Sequence, residues 1–211
     1  YDDTLKKFIK YGFDFKNILE KVASVSPVRG RMEILTDHPV SVVVDYAHTP
    51  DGLKNALSAL RQHYKGNIWC VFGCGGDRDQ NKRSKMGKIA SNYSDNIILT
   101  NDNPRFENPK KIRRDIKKGI KKKRITEISN RAIAILEAIK NLNTGNVLLV
   151  AGKGHEKTQD IRDKKIYFSD RKIILDAIKI KNKNLSNNLK INVIQEVAQI
   201  QKLPTSIPIK N

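Results

Sequence analysis

Asp102-Asn103-Pro104-Arg105 follows directly on the apolar run Asn96-Ile97-Ile98-Leu99-Thr100, so an arginine and two polar residues stand where a buried strand would emerge into a loop. In an α/β protein that edge is where a ligand is read. A guanidinium offers fixed N–H donors that match both oxygens of a carboxylate, and the preceding proline restricts the chain that carries it. The segment points to a small acidic substrate.

Three more polar loops follow apolar runs: Asp45-Tyr46-Ala47-His48-Thr49-Pro50-Asp51, Gly73-Cys74-Gly75-Gly76-Asp77-Arg78-Asp79 and Gly152-Lys153-Gly154-His155-Glu156. If the runs are strands of one parallel sheet, all four loops share an edge. Two arginines, several carboxylates, two histidines and glycine backbone then surround one crevice, which suits a ligand with both carboxylate and ammonium groups. An amino acid is such a ligand. Each loop also has a structural reading. Gly73 to Gly76 serves equally as a tight strand-to-helix connection, since neither a G-x-G-x-x-G string nor a P-loop is present. Asp45 and Asp77 could cap helices, His48 and His155 could serve local hydrogen bonds, and Arg78 and Arg105 could form surface ion pairs. No serine or cysteine motif marks a nucleophile, and no residue of this chain is assigned as catalytic.

The elements that must position these loops follow from periodicity. Helical spacing is present over Thr4–Ile9 and Asn17–Ser24, then Pro27 and Gly30 interrupt it. Strands are expected over Val40–Tyr46, Ile68–Phe72, Asn96–Thr100, Arg124–Ile128 and Asn146–Val150. Helices are expected over Pro50–His63, Lys85–Tyr93, Pro109–Lys121, Arg131–Leu142 and Asp170–Ile180, with a small hairpin over Gln159–Phe168. Apolar strands without polar alternation, separated by amphipathic helices, predict an α/β fold: a Rossmann-like, mainly parallel sheet with helices on both faces.

The 211 residues suffice for one sizeable domain with additional chain at either end. No apolar run approaches the roughly 20 residues that cross a bilayer, so no membrane partner is expected. The chain starts at Tyr1, and a cytoplasmic piece of a longer protein is the expectation. Cys70 and Cys74 lack the partners of a zinc site and read as buried thiols. The net charge of +19 and the run Lys117 to Arg124 could track phosphates. Lysine is nevertheless spread along the whole chain among isoleucine and asparagine, with no aromatic stacking motif, so no nucleic-acid partner is expected. A basic nucleic-acid-binding module stays as the alternative of a different class.

Gly30-Arg31-Met32-Glu33, Val44 to Asp51, Val71 to Asp79 with Lys82-Arg83 and Met86-Gly87, Asp102 to Arg105, and Val150 to Glu156 together resemble the carboxy-terminal part of a Mur ligase. The resemblance runs in order from about Val28 to Ile180. It is to the branch that adds the third amino acid to UDP-N-acetylmuramoyl-L-alanyl-D-glutamate during peptidoglycan precursor synthesis. It implies use of ATP and Mg2+: the substrate carboxylate attacks the γ-phosphate to give an acyl phosphate, which the incoming amine then displaces.

By motif matching the resemblance implies that Arg78, Asp102, Asn103, Pro104, Arg105, Gly152 and Glu156 bind the amino acid. Arg78, Asn103 and Arg105 would hold carboxylates, and Glu156 would meet an ammonium. Arg31, Asp45 and His48 match positions that border the nucleotide, with Asp45 facing ribose hydroxyls. The Asp-Asn-Pro-Arg form of the loop resembles enzymes that select meso-diaminopimelate; lysine-adding relatives usually lack that arginine. The second carboxylate of diaminopimelate would satisfy Arg105, whereas lysine would leave it unpaired at a cost of roughly 2 to 5 kcal/mol. A ligase adding L-lysine is the alternative within the family.

The family's P-loop, magnesium ligands and modified-lysine segment have no counterpart here, nor does its UDP-binding domain. No metal site is expected in this chain, which should not turn over by itself and is expected to be a monomer. Residues 1–27 are read as a remnant of the central ATP-binding domain, 28–182 as the amino-acid-binding domain and 183–211 as a flexible tail, in which Ile191–Ile200 is assigned no function.

Overall fold

The computed structural model describes residues 7, 10–12, 14–24, 28–37, 40–121 and 124–183. Apart from Lys7, the expected helix over Thr4–Ile9 lies outside them, as does the expected tail after Lys183, which itself ends a helix, with its segment Ile191–Ile200. A first helix, α1 (Phe15–Ser24), precedes the domain that carries the four loops.

Six strands form one sheet: β1 (Glu33–Thr36), β2 (Ser41–Asp45), β3 (Ile68–Phe72), β4 (Asn96–Leu99), β5 (Arg124–Glu127) and β6 (Val147–Ala151). Their spatial order is β1-β2-β6-β3-β4-β5, with β1 antiparallel to β2 and every other neighbour pair parallel. The helices are α2 (Pro50–His63), α3 (Asn81–Tyr93), α4 (Pro109–Lys117), α5 (Arg131–Asn141) and α6 (Asp170–Lys183). Between β6 and α6 the chain forms an antiparallel hairpin of β7 (Thr158–Ile161) and β8 (Lys164–Tyr167). This is the α/β, mainly parallel sheet covered on both faces that the apolar strand pattern predicts.

The two faces follow from the pleat, since successive side chains point to opposite sides. Val43, Cys70, Phe72, Ile97, Leu99, Val147 and Leu149 pack against Leu53, Leu57, Met86, Ile112 and Ile116 of α2, α3 and α4. Val42, Val44, Val71, Ile98, Leu148 and Val150 pack against Ile135, Ile139 and Ile174 of α5 and α6. Burial of each such side chain contributes about 1.5 to 3 kcal/mol.

Helix starts are set by local caps. Thr49, Asn108 and Asn130 side chains accept from Gly52, Lys110 and Ile133 backbone N–H groups. The cap of α2 is therefore Thr49, and Asp45 is left for another task. Helices α1, α5 and α6 shift by one to three residues at one end from their expected bounds, and two others by four. Helix α3 begins at Asn81 rather than Lys85, because its first turn hides a buried arginine, Arg83, in place of an apolar residue. Helix α4 stops at Lys117 rather than Lys121, where Gly119 and Ile120 donate back to Ile116 and Lys117 carbonyls in tight turns. The edge strand β1 was not expected as a separate element; only its Leu35 packs on the core, and Ile34 is exposed.

From β2 and β3 the chain runs to helices on one face; from β6 it runs, through the hairpin, to α6 on the other. In an open α/β sheet the place for a ligand crevice is outside the carboxyl end of β6, where those connections diverge.

Candidate functional site

The loops after β2, β3, β4 and β6 all leave the carboxyl edge of the sheet. Two of them interlock around the end of β6. Lys153, wholly buried, donates from Nζ to Asn103 Oδ1 and to Glu156 Oε2, each at 2.8 Å. Asn103 Nδ2 donates to the same Glu156 oxygen at 3.0 Å, and Asn103 Oδ1 also accepts from Asp160 N at 3.0 Å. One lysine thus ties Asn103 and Glu156 into a charge-assisted triangle in which every atom's role is fixed.

Beneath this triangle lies a buried ion pair. Arg131, at the start of α5, donates from Nε and Nη2 to both oxygens of Asp170 at 2.8 Å and from Nη2 to the Ala151 carbonyl at 2.9 Å. Both side chains are fully buried. Burial opposes the charge of Arg131, but Asp170, with Asp102 and Glu156 adding to it, outweighs burial and raises its pKa above the usual arginine value. Its remaining Nη1 has no hydrogen-bond partner among the described residues and stands 4.0 Å from Asp102 Oδ2. Asp102 in turn caps its own loop through Oδ1 to Asn103 N, and its carbonyl accepts from Gln159 Nε2. Gly152 has φ +115°, and a Cβ there would lie 2.7 Å from Asp102 Oδ2, so only glycine lets the two loops approach.

Arg105 is held by more than the proline before it. Its φ is +49°, and its N–H donates to the Asp160 carbonyl while its own carbonyl accepts from Arg162 N–H, a bridge to the β7–β8 hairpin. Arg105 Nη1 donates to the Gly76 carbonyl at 2.8 Å. The sequence-based reason for its rigidity is corrected: Pro104 fixes its own backbone, and the hairpin fixes Arg105. Gly76 N donates to the Asn103 carbonyl, and a Cβ at Gly76 would meet the Pro104 carbonyl oxygen at 1.9 Å. Arg78 is exposed and donates only to the neighbouring Asp77 carbonyl among the described residues. Gly75 nevertheless lies between the two arginines, since a Cβ there would be 2.9 Å from Arg105 Nη1 and 3.8 Å from Arg78 Cγ.

Behind this loop, Arg83 donates to Glu107 Oε1 at 2.7 Å and, at 3.4 Å, to Asp115 Oδ2 and the Gly75 carbonyl. Glu107 Oε1 also accepts from Asp77 N, and Asp77 Oδ2 accepts from Phe106 N rather than capping a helix. The hydrogen bond from Arg83, with that from Asp77 N, holds the Glu107 carboxyl below its ordinary value against the opposing effect of burial.

The opposite rim is built differently. Asp45 Oδ2 accepts from Met32 N at 2.7 Å, which anchors the turn carrying Arg31. The guanidinium of Arg31 lies over the Tyr46 ring, 4.7 Å from its centroid. The His48 and His155 rings tilt against the same tyrosine at 4.6 and 5.3 Å. His48 Nδ1 meets the Tyr46 carbonyl at 2.8 Å, and Lys82 Nζ donates to the His48 carbonyl. Arg31, His48 and His155 are exposed, so this rim offers a cationic and aromatic surface to solvent.

The fold therefore brings Asp102, Asn103, Pro104, Gly152 and Glu156 together, sets Arg78 and Arg105 on either side of Gly75, and gathers Arg31, Asp45 and His48 around Tyr46. Sequence reasoning missed Lys153, Arg131, Asp170 and Tyr46 as parts of the site. Lys153 is one of many lysines in the sequence, although a lysine between two glycines at a strand end has room to fold inward. Arg131 and Asp170 read as ordinary helix-start residues. Burial pushes the thiols of Cys70 and Cys74 up to about 12, so both stay protonated at neutral pH. Among the described residues no three of His, Cys, Asp and Glu stand together as a metal site, and no helix is long and apolar enough to cross a membrane.

Comparison with known proteins agrees with this geometry. Residues 30–154 match the family model for the Mur ligase, glutamate ligase domain. The UDP-N-acetylmuramoyl-L-alanyl-D-glutamate-2,6-diaminopimelate ligase of Rickettsia felis is 48% identical over 174 residues, which are 82% of this chain and 32% of that protein. The ligase of the same name from Buchnera aphidicola is 44% identical over 177 residues, 83% of this chain and 36% of that protein. The chain thus spans about a third of the length of the curated relatives it matches. A solved structure of a ligase with that name superposes with a TM-score of 0.70 at 38% identity, covering 84% of this chain and 37% of that one. A murein peptide ligase from Psychrobacter arcticus, 12% identical with a TM-score of 0.54 over 86% of this chain and 36% of its own, shares the fold alone. With its parallel sheet, its four converging loops and a family match across more than half its length, the chain belongs to the Mur ligase family.

Proposed function

We propose that this chain is the carboxy-terminal part of a cytoplasmic, ATP-dependent ligase that adds meso-diaminopimelate to UDP-N-acetylmuramoyl-L-alanyl-D-glutamate in peptidoglycan precursor synthesis, and that its domain binds the incoming amino acid. The observation that carries this reading is the pairing of Arg105 and Arg78 around Gly75 with a carboxylate, Glu156, fixed by Lys153 and Asn103. The arginines receive the carboxylate that lysine lacks. Glu156 receives the ammonium that does not react, because the reacting nitrogen must lose its proton before it can attack. Asp102, Asn103, Pro104 and Gly152 form the wall between these ends.

Arg31, Asp45 and His48 border the nucleotide, and the exposed Arg31 and His48 over the half-buried Tyr46 ring suit a planar base or a phosphate edge. ATP supplies the activation of the acceptor carboxylate. Mg2+ would accompany ATP, and no residue of this chain is assigned to hold it.

The test is calorimetric titration of the three-domain enzyme carrying this domain, with ATP and the nucleotide substrate present. Meso-diaminopimelate should bind at least about 30-fold more tightly than L-lysine, and Arg105→Ala should erase the difference without changing the KM for ATP. Equal affinity for both amino acids would sink the specificity reading.

A further inference from the structure

The triangle around Lys153 does more than fill space. Glu156 Oε2 already accepts from two donors, Lys153 Nζ and Asn103 Nδ2. Oε1 has no hydrogen bond among the described residues, and the Glu156 side chain is 28% exposed while that of Lys153 is 0% exposed. One oxygen of the carboxylate is thus committed, and the other is left without a protein partner among the described residues. The same ammonium settles which way Asn103 faces. With its oxygen taken by Lys153 Nζ and Asp160 N, the Asn103 amide nitrogen must point to Glu156.

From these contacts we infer that Lys153 is a positioning residue for amino-acid recognition. Its buried ammonium fixes the rotamers of Glu156 and Asn103 together and leaves Glu156 Oε1 open to accept from the substrate's non-reacting ammonium. Lys153 touches neither ligand nor reacting atoms; it acts through Glu156, and its role presupposes the reading of Glu156 given above. Electrostatics sets a further requirement. Glu156 must attract an ammonium although a lysine already shares its charge, so recognition depends on the direction of Oε1 rather than on surplus negative charge.

The experiment uses the intact three-domain enzyme with Lys153→Met, Lys153→Gln, Glu156→Gln and the double variant of Lys153→Met with Glu156→Gln. Two substrates are compared: meso-diaminopimelate, and aminopimelate, which lacks one amino group. Lys153→Met should raise the KM for diaminopimelate roughly a hundredfold with the KM for ATP unchanged, and should shrink the preference for diaminopimelate over aminopimelate by a similar factor. Lys153→Gln, which keeps a donor, should show roughly a tenfold effect; it carries the same test should the methionine variant fail to fold. In the Glu156→Gln background Lys153→Met should add less than about threefold. Full additivity of the two changes would overturn the inference, as would equal rises in the KM for both ATP and diaminopimelate. A wild-type preference that survives both Lys153 variants would overturn the role of Lys153 alone. A wild-type enzyme with no preference between the two substrates would overturn the reading of Glu156 as well.

Discussion

The two rims of the crevice are built on opposite plans. On the side of β4 and β6, Asn103, Lys153 and Glu156 bind one another, and Arg131, paired with Asp170, holds the Ala151 carbonyl at the end of β6. On the side of β2, the exposed side chains of Arg31, His48 and His155 gather on the half-buried ring of Tyr46 and make few directional contacts. The first rim has its rotamers set before any ligand arrives; the second is a surface on which a ligand can choose its place. The difference matches the two tasks proposed for them. Discrimination between amino acids differing by one carboxylate needs donors and acceptors fixed in advance, because an unmatched group must be left unpaired rather than allowed to swing away. Contact with a nucleotide common to the whole family needs only complementary charge and a flat face.

Three changes test that contrast, from the largest effect to the smallest. Asp170→Asn leaves Arg131 buried without its counter-charge and should lower unfolding free energy by about 3 to 5 kcal/mol in denaturant titration. A loss below 1 kcal/mol would mean that the fixed rim does not depend on this pair. Acid should act next. Glu107, Asp115 and Glu127 are held below their ordinary values, first by hydrogen bonds from Arg83, Lys118 and Lys117 respectively. A carboxylate whose folded pKa is depressed contributes stability that is fully present above its unfolded value and is lost as pH falls through the folded one. The stability these three carboxylates contribute should therefore be constant above the ordinary carboxylate range and decline as pH falls below it. Amide exchange should then quicken first in α4, β5 and the Asp77–Arg78 turn that Glu107 supports, and exchange that rises uniformly instead would contradict this arrangement. The smallest effect belongs to the open rim. Arg31→Ala should change stability by no more than about 0.5 kcal/mol, since the arginine is exposed, while raising the KM for ATP in the intact enzyme. A large fall in melting temperature would show that the open rim is structural.

The sheet was legible in the sequence because its central strands are apolar on both faces. Val42 to Val44, Val71, Ile98 and Leu148 to Val150 leave no alternative to a covered parallel sheet, and the loops that follow such strands must share an edge. Thr49, Asn108 and Asn130 mark helix starts in the chain itself. The candidate site was only half legible. Its exposed or motif-borne members, such as Arg105 and Glu156, stand out by type and place. Lys153, Arg131 and Arg83 do not, because a buried cation is indistinguishable in sequence from the many lysines and arginines of a chain with net charge +19. Its partners, Glu156, Asp170 and Glu107, are contributed from 3, 39 and 24 residues away, and the two longer pairings have no local spacing rule to betray them.

The place of β6 has a consequence for how the molecule comes into being. It is the last strand of the main sheet to be made and yet lies between β2 and β3, which do not pair with each other. A growing chain that has reached β5 has a sheet with its middle missing, and neither rim of the crevice has its floor. The two halves join only when Val147 to Ala151 slot between them, and the same few residues lead straight into Gly152 to Glu156. Completion of the fold and completion of the ligand-facing loop are therefore one event, governed by long-range pairing and correspondingly slow.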